Sequence, residues 1–530
     1  MYPQKINKNN YATLCAIMAL LASFGVNAQT VQRSPLVLGI IVEGLQDDYL
    51  TLLESQFTEG GFKKLMHQGL SMTDVDFGPS IDPTAATAIL HTGAPPMANG
   101  IPSESIFSPV TNQSTKVLID SKYIGNFTDE TFSAKALKVS TISDEFRVDT
   151  EGQGLVYSLA ADPQMAIISA GHAANGAYWI YGHTGNWAST TYYKDMPTSV
   201  SNRNYHTPLH SRIDTMKWIP SRHMSQYPLL TEDERLRAFH NKFPKKEFDR
   251  ISIFKKTPVC NTEITDVAIE LMSATKMGRD ANPDMLNIVY SLSYPGASRL
   301  ETMDAYLRLD RELDRLFSAA NRMSSGSVSI FLSGIPSNQG TAPDEARWQI
   351  PTGEYSIKKA MSLVEMYLMA THGNGDWVTS YNNRQFYLNR KYITDKGMDL
   401  AAFRTEVAVF LARMAGVSNV YTIDNIIAAR VGDNPQALKR NTSIQHCGDV
   451  FIEVNPGWVI VDDYNQSIKP QRRIAERNNA VRIPAFILAP GVTATKIDAP
   501  VDARAIAPTV ARVIRIRAPN AASVKPIRAN

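Results

Sequence analysis

Stretches that are apolar almost without interruption alternate along this chain with stretches whose apolar residues recur every three or four positions. Residues 35 to 45, PLVLGIIVEGL, and 286 to 294, LNIVYSLSY, are of the first kind, with β-branched centres. Such runs suit strands buried on both faces of a mainly parallel sheet. Val328 to Leu332 reads the same way. Of the second kind is ETMDAYLRLDRELDRLF, where Tyr306, Leu309, Leu313 and Leu316 share one helical face. Residues 356 to 372 and 399 to 415 are further amphipathic helices, the second stopped by Gly416. Asp82-Pro83-Thr84 opens a helix reading ATAILHTG, with Asp82 as cap and Pro83 in the first turn. Val450 to Asp462, around an NPGW turn, reads as a hairpin. Buried strands alternating with amphipathic helices predict an α/β fold with helices on both faces of the sheet, and ligands at the carboxyl ends of its strands.

Composition narrows the setting. A chain of 530 residues, 44% hydrophobic and 20% charged, has room for one large α/β domain with an insertion or for two domains. Its first residues carry Lys5 and Lys8, an apolar run from about 14 to 26, and the small-residue site Val26-Asn27-Ala28. We read residues 1–28 as a secretory signal peptide, which makes 29–530 the mature chain, periplasmic or associated with the outer envelope. No later stretch is apolar enough to span a bilayer. Without Lys5 and Lys8, 52 basic residues face 51 acidic ones, a balance that argues against a nucleic-acid binder. Cys260 and Cys447 are the mature cysteines. A bridge between them and two inert buried thiols both remain open.

The stretch from Leu155 to Tyr193, with VYS and AGHAANGAYW in it, resembles the central segment of the phosphate-irrepressible alkaline phosphatases of Bacteroidetes, in the alkaline phosphatase superfamily. The ending DARAIAPTVARVIRIRAPNA extends the likeness almost to the last residue. The resemblance implies an α/β/α sandwich of three layers, a mainly parallel sheet, and an inserted cap region at about 194–285. It also implies a site with two zinc ions, a Thr or Ser nucleophile, and a Lys, an Arg and an Asn holding the phosphoryl oxygens. At the matching positions this chain departs from the pattern. The metal positions hold Glu43, Ser293, Ala297, Ile335, Pro336 and Arg473, and the nucleophile position, nine residues before Thr92, holds Pro83. The Lys, Arg and Asn positions hold Asp162, Gln164 and Glu104. A carboxylate facing a phosphoryl dianion repels it where an ammonium attracts.

Two readings follow. In the first, the chain is a pseudophosphatase with no catalytic residue and no cofactor, its vestigial pocket or surface binding another envelope protein. In the second, it is a hydrolase of phosphate monoesters or diesters with a relocated site, drawing on Thr84, His91, His172 or the pair His206 and His210. His172 lies in a segment the active family also has, which favours a structural histidine. Pro208 between His206 and His210 argues against their sharing a regular helix.

Overall fold

The structure is a computed structural model. It describes residues 33–193, 196–243, 249–337, 351–433, 435–455, 457–464, 472–475 and 481–528, apart from the side chains of 472–475. The expected signal peptide lies outside the described residues.

Ten strands form the main sheet: β1 (Leu36–Glu43), β2 (Leu70–Met72), β3 (Gly125–Asn126), β4 (Val156–Ala160), β5 (Gly176–Ile180), β6 (Trp187–Thr190), β7 (Asp284–Ser291), β8 (Val328–Ile335), β9 (Ala485–Leu488) and β10 (Thr495–Ile497). Their order is β10-β2-β9-β8-β1-β7-β4-β5-β6-β3. The central run β8-β1-β7-β4-β5 is parallel throughout, and β9 and β6 pair antiparallel at its two sides.

β1 shows why the fold has three layers. Leu36, Leu38, Ile40 and Val42 point into one core, and Val37 and Ile41 into the other, so the period of two feeds both faces. The first core takes the apolar faces of α4 (Pro258–Thr275) and α5 (Arg299–Met323). The second takes α1 (Pro83–Thr92), α2 (Ile142–Asp149), α3 (Pro163–Ala170) and α8 (Ile506–Ile514). Gly39 keeps the middle of β1 bare for a reason. A Cβ there would lie 2.3 Å from Asn287 Oδ1 and 2.5 Å from the Phe331 ring, so the neighbouring strands fill its space.

Two sequence expectations change. Val450–Val454 and Trp458–Asp462 are both strands, but they do not pair as a hairpin. The first joins a four-stranded sheet, and the second lies between Gly353–Ser356 and Arg472–Ala475 in a three-stranded one. Gly457, with φ +83°, lets the chain leave one sheet for the other. The expected cap at 194–285 also shifts. Val200, Leu209, Trp218, Tyr227, Phe243 and Phe254 belong to the same core as α4 and α5, so this segment is packed into the helical layer of one face. Residues 353–463 instead form a module with a core of its own, around Trp377, Phe386, Phe403 and Ile452, with α6 (Ile357–His372) and α7 (Leu400–Leu411) on its sheets. This module reaches the loops around α1. Asn441 Nδ2 donates to Pro79 O at 2.8 Å, Arg384 Nη1 to Ser80 Oγ at 3.3 Å, and Asn382 Nδ2 to Ser105 O at 3.0 Å.

Candidate functional site

The ends of β7, β1 and β8 stand level, because parallel register pairs Glu43 with both Ser291 and Ile335. Ser291 Oγ donates to Glu43 Oε2 at 3.2 Å, and Gly44 N to Ile335 O at 3.0 Å. Two residues beyond β7, the hydroxyls of Ser293 and Ser337 are hydrogen-bonded, which joins the β7 and β8 exits. Glu43, Ser293, Ile335 and Pro336 therefore lie at or just beyond the carboxyl ends of these three strands. Ala297 follows in the turn before α5, half-buried against the first core. Arg473 lies in the strand Arg472–Ala475, registered with Val461, and its side chain is outside the described residues.

The residues present do not fit a two-zinc donor set. Ile335 is fully buried in the second core, and neither Ala297 nor Pro336 offers a lone pair beyond its backbone. Among the described residues no group of three or more His, Cys, Asp or Glu is placed to hold a metal ion.

The helix behind the nucleophile position begins as its sequence predicts. Pro83 is the first residue of α1, and Asp82 Oδ1 accepts from Ala85 N at 2.9 Å. The other carboxylate oxygen of Asp82 accepts from Glu104 N at 2.6 Å. Glu104 O in turn accepts from Gln164 Nε2 at 3.1 Å, and Gln164 Oε1 takes Leu118 N at 3.3 Å. Asp162 completes the chain of contacts as the cap of α3, accepting from Gln164 N at 2.9 Å and Met165 N at 3.1 Å. The Gln164 side chain is fully buried and both ends of its amide are committed to backbone. A position that holds phosphoryl oxygens in the resembling family here brackets two loops. Thr84, beside Pro83, is almost fully buried, and its hydroxyl makes no hydrogen bond among the described residues.

Sequence reasoning missed a cation here. Lys255 donates to Ile180 O at 2.9 Å, at the carboxyl end of β5. Burial pushes its ammonium pKa down, and Asp162 is the foremost charge opposing that shift. The carboxylate that stands where the family has a Lys thus has a lysine of another segment in its field. Arg384 is the second cation, a buried residue with φ +66° at the tip of a module hairpin. No local pattern announces either, since each reaches its place only through the tertiary fold.

The histidines resolve one by one. His172 Nδ1 lies 2.9 Å from Asp144 Oδ2 and Nε2 lies 2.9 Å from Leu137 O, so both ring nitrogens meet acceptors and the imidazolium fits best. The hydrogen bond to Asp144 accordingly raises the His172 pKa. Gly171 before it has φ +73°, and a Cβ there would sit 2.3 Å from Thr141 Oγ1, which explains the glycine of AGHAAN. His91 is fully buried on α1, and burial lowers its pKa to about 4, so it is neutral. His206 and His210 are exposed, on either side of the break at Pro208. Cys260 and Cys447 are free and buried, which settles the open pairing against a bridge.

Comparison with known proteins gives four relevant likenesses. A family model described as type I phosphodiesterase / nucleotide pyrophosphatase matches residues 37–479. Alkaline phosphatase PhoV of Synechococcus elongatus is 26% identical, over 96% of this chain and 97% of its own. Alkaline phosphatase PafA of Elizabethkingia meningoseptica is 25% identical over 96% of both. The crystal structure of wild-type PafA superposes with a TM-score of 0.82 over 94% of this chain and 98% of its own, at 23% identity, and so shares the fold. These relatives correct the expectation of a cofactor-free protein. The chain matches, almost end to end, phosphatases of the kind whose active members use two zinc ions, and nothing in that relationship supports independence from metal.

Proposed function

Because the chain belongs to the type I phosphodiesterase / nucleotide pyrophosphatase family, we propose that it is an exported member whose phosphoryl-transfer site has become a binding site. On this reading it is a pseudophosphatase of the cell envelope that binds or scaffolds another envelope protein. One observation carries the reading: at the positions that would have to bind phosphate, the Asp162 carboxylate and the Gln164 amide are committed to backbone groups, and Glu104 is tied through its own backbone to Asp82 and Gln164. Pro83 has no hydroxyl to attack phosphorus, and at the position where the resembling family has a lysine the Asp162 carboxylate caps α3. Both losses hold whatever metal the strand ends carry. The near-neutral mature chain and its want of any long apolar helix among the described residues agree with a partner that is neither nucleic acid nor a bilayer core.

A second reading, an active phosphoric ester hydrolase with a relocated nucleophile, is favoured by Thr84, whose hydroxyl is uncommitted at the start of α1. Full-length likeness to two alkaline phosphatases supports it as well. Purification of the tagged protein from its native envelope separates the readings. A companion recovered in stoichiometric amount is the expected result. A chain recovered alone that hydrolyses phosphate esters would favour the second reading.

A further inference from the structure

A partly open cavity of about 50 Å³ lies where the helix Gln436–Arg440 of the module meets the turn at Asp76 to Gly78 and the loop from Asp502 to Arg504. By the same measure one water needs about 10–15 Å³, so the space suits a few waters or one small polyatomic ion. A nucleotide needs a pocket of roughly 300 Å³ or more.

Four ionisable groups line it, and their commitments differ. Arg504 gives Nε and Nη2 to Asp502, at 2.9 and 2.5 Å. Asp76 Oδ1 accepts from Gly78 N at 2.8 Å. The Asn441 amide nitrogen is spent on Pro79 O. Arg440, half-buried, makes no hydrogen bond or ion pair through its guanidinium among the described residues, although its charge helps to lower the Asp502 pKa. The carboxylates are thus partly satisfied while a guanidinium fork, with five N–H donors, faces the space.

We propose that this cavity binds one small tetrahedral oxyanion of the phosphate or sulfate class, held by Arg440 and by the remaining Nη1 of Arg504. Guanidinium groups match such oxyanions through paired, charge-assisted hydrogen bonds. The bound ion joins two segments that are remote in sequence, the module helix that ends at Arg440 and the loop that carries Arg504, so occupancy fastens the module to the main fold beside the turn at Asp76 to Gly78. The proposal does not depend on whether that site hydrolyses esters.

The test is calorimetric titration of the full chain with inorganic phosphate and, separately, with sulfate, at constant ionic strength with chloride as control. Saturable one-site binding is expected, with a rise in Tm that grows with ligand concentration. Arg440→Ala should weaken binding at least about tenfold, with Arg440→Lys between the two. Hydrogen exchange should slow at 436–441 and 502–504 on adding the ion, a readout that needs no variant. Binding of phosphate alone identifies phosphate as the ligand, and equal binding of both identifies a general oxyanion site. No saturable binding of either ion, or unchanged affinity in Arg440→Ala, would overturn the proposal.

Discussion

Replacing Gln164 by Arg restores, at one position, the cation that the resembling phosphatases use, and the structure makes the outcome calculable. The side chain is fully buried, and its amide bonds Leu118 N at 3.3 Å and Glu104 O at 3.1 Å. Arginine cannot accept from Leu118 N, so one buried donor is left without a partner, at a cost of about 1–3 kcal/mol. A larger, charged group must also find room in a packed site, which adds about 1–3 kcal/mol. We expect a loss of about 2–6 kcal/mol, and the protein should gain no affinity for inorganic phosphate at the strand ends. With unfolding entropy near 2.1 cal/mol/K per residue, a cooperative unit of this length loses roughly 2–6 °C in Tm. Differential scanning calorimetry with a phosphate titration measures both. An undiminished Tm together with new phosphate binding abolished by nothing at Arg440 would refute the reasoning, because it would place residue 164 in the cleft.

Further outcomes follow from other sites. The His172 pKa is raised by Asp144, so its stabilising contribution is complete below the ordinary histidine value of about 6.5 and fades as pH climbs through the raised value. Chemical denaturation between pH 6 and 9 should show this fall of about 1 kcal/mol, discounted for the partial exposure of the ring, and His172→Gln should flatten it. Burial pushes the thiol of Cys260 up to about 12 and that of Cys447 up to about 11, so a thiol reagent at pH 8 should label both only after unfolding, even in protein prepared without reductant. Glu263, nearly inaccessible, accepts from both Arg203 and Arg212. Arg203→Ala should cost about 3–5 kcal/mol in denaturant unfolding, because it leaves part of a buried charge unpaired.

How much of this was legible in the sequence depended on distance along the chain. The start of α1 could be read because Asp82, Pro83 and the closing Gly93 lie within one helix and obey local capping rules. β1, β7 and β8 could be read because strands buried on both faces are apolar almost throughout. The role of Gln164 could not, since its partners are 46 and 60 residues away. Lys255 likewise reaches β5 across 75 residues. The pairing of Trp458–Asp462 with Gly353–Ser356 spans about a hundred residues, and the turn at NPGW suggested a nearer partner. The site was legible as a list of departures from a resembling motif. What those residues do instead is a property of the folded chain.

If the proposed function holds, the start of α1, where Pro83 stands and Thr84 is the neighbouring hydroxyl, transfers no phosphoryl group. Turnover of an aryl phosphate monoester and diester by the zinc-supplied protein, beside Thr84→Ala prepared in the same way, tests this. No turnover above background is expected for either protein. Zinc-dependent turnover that a chelator removes and Thr84→Ala abolishes would contradict it.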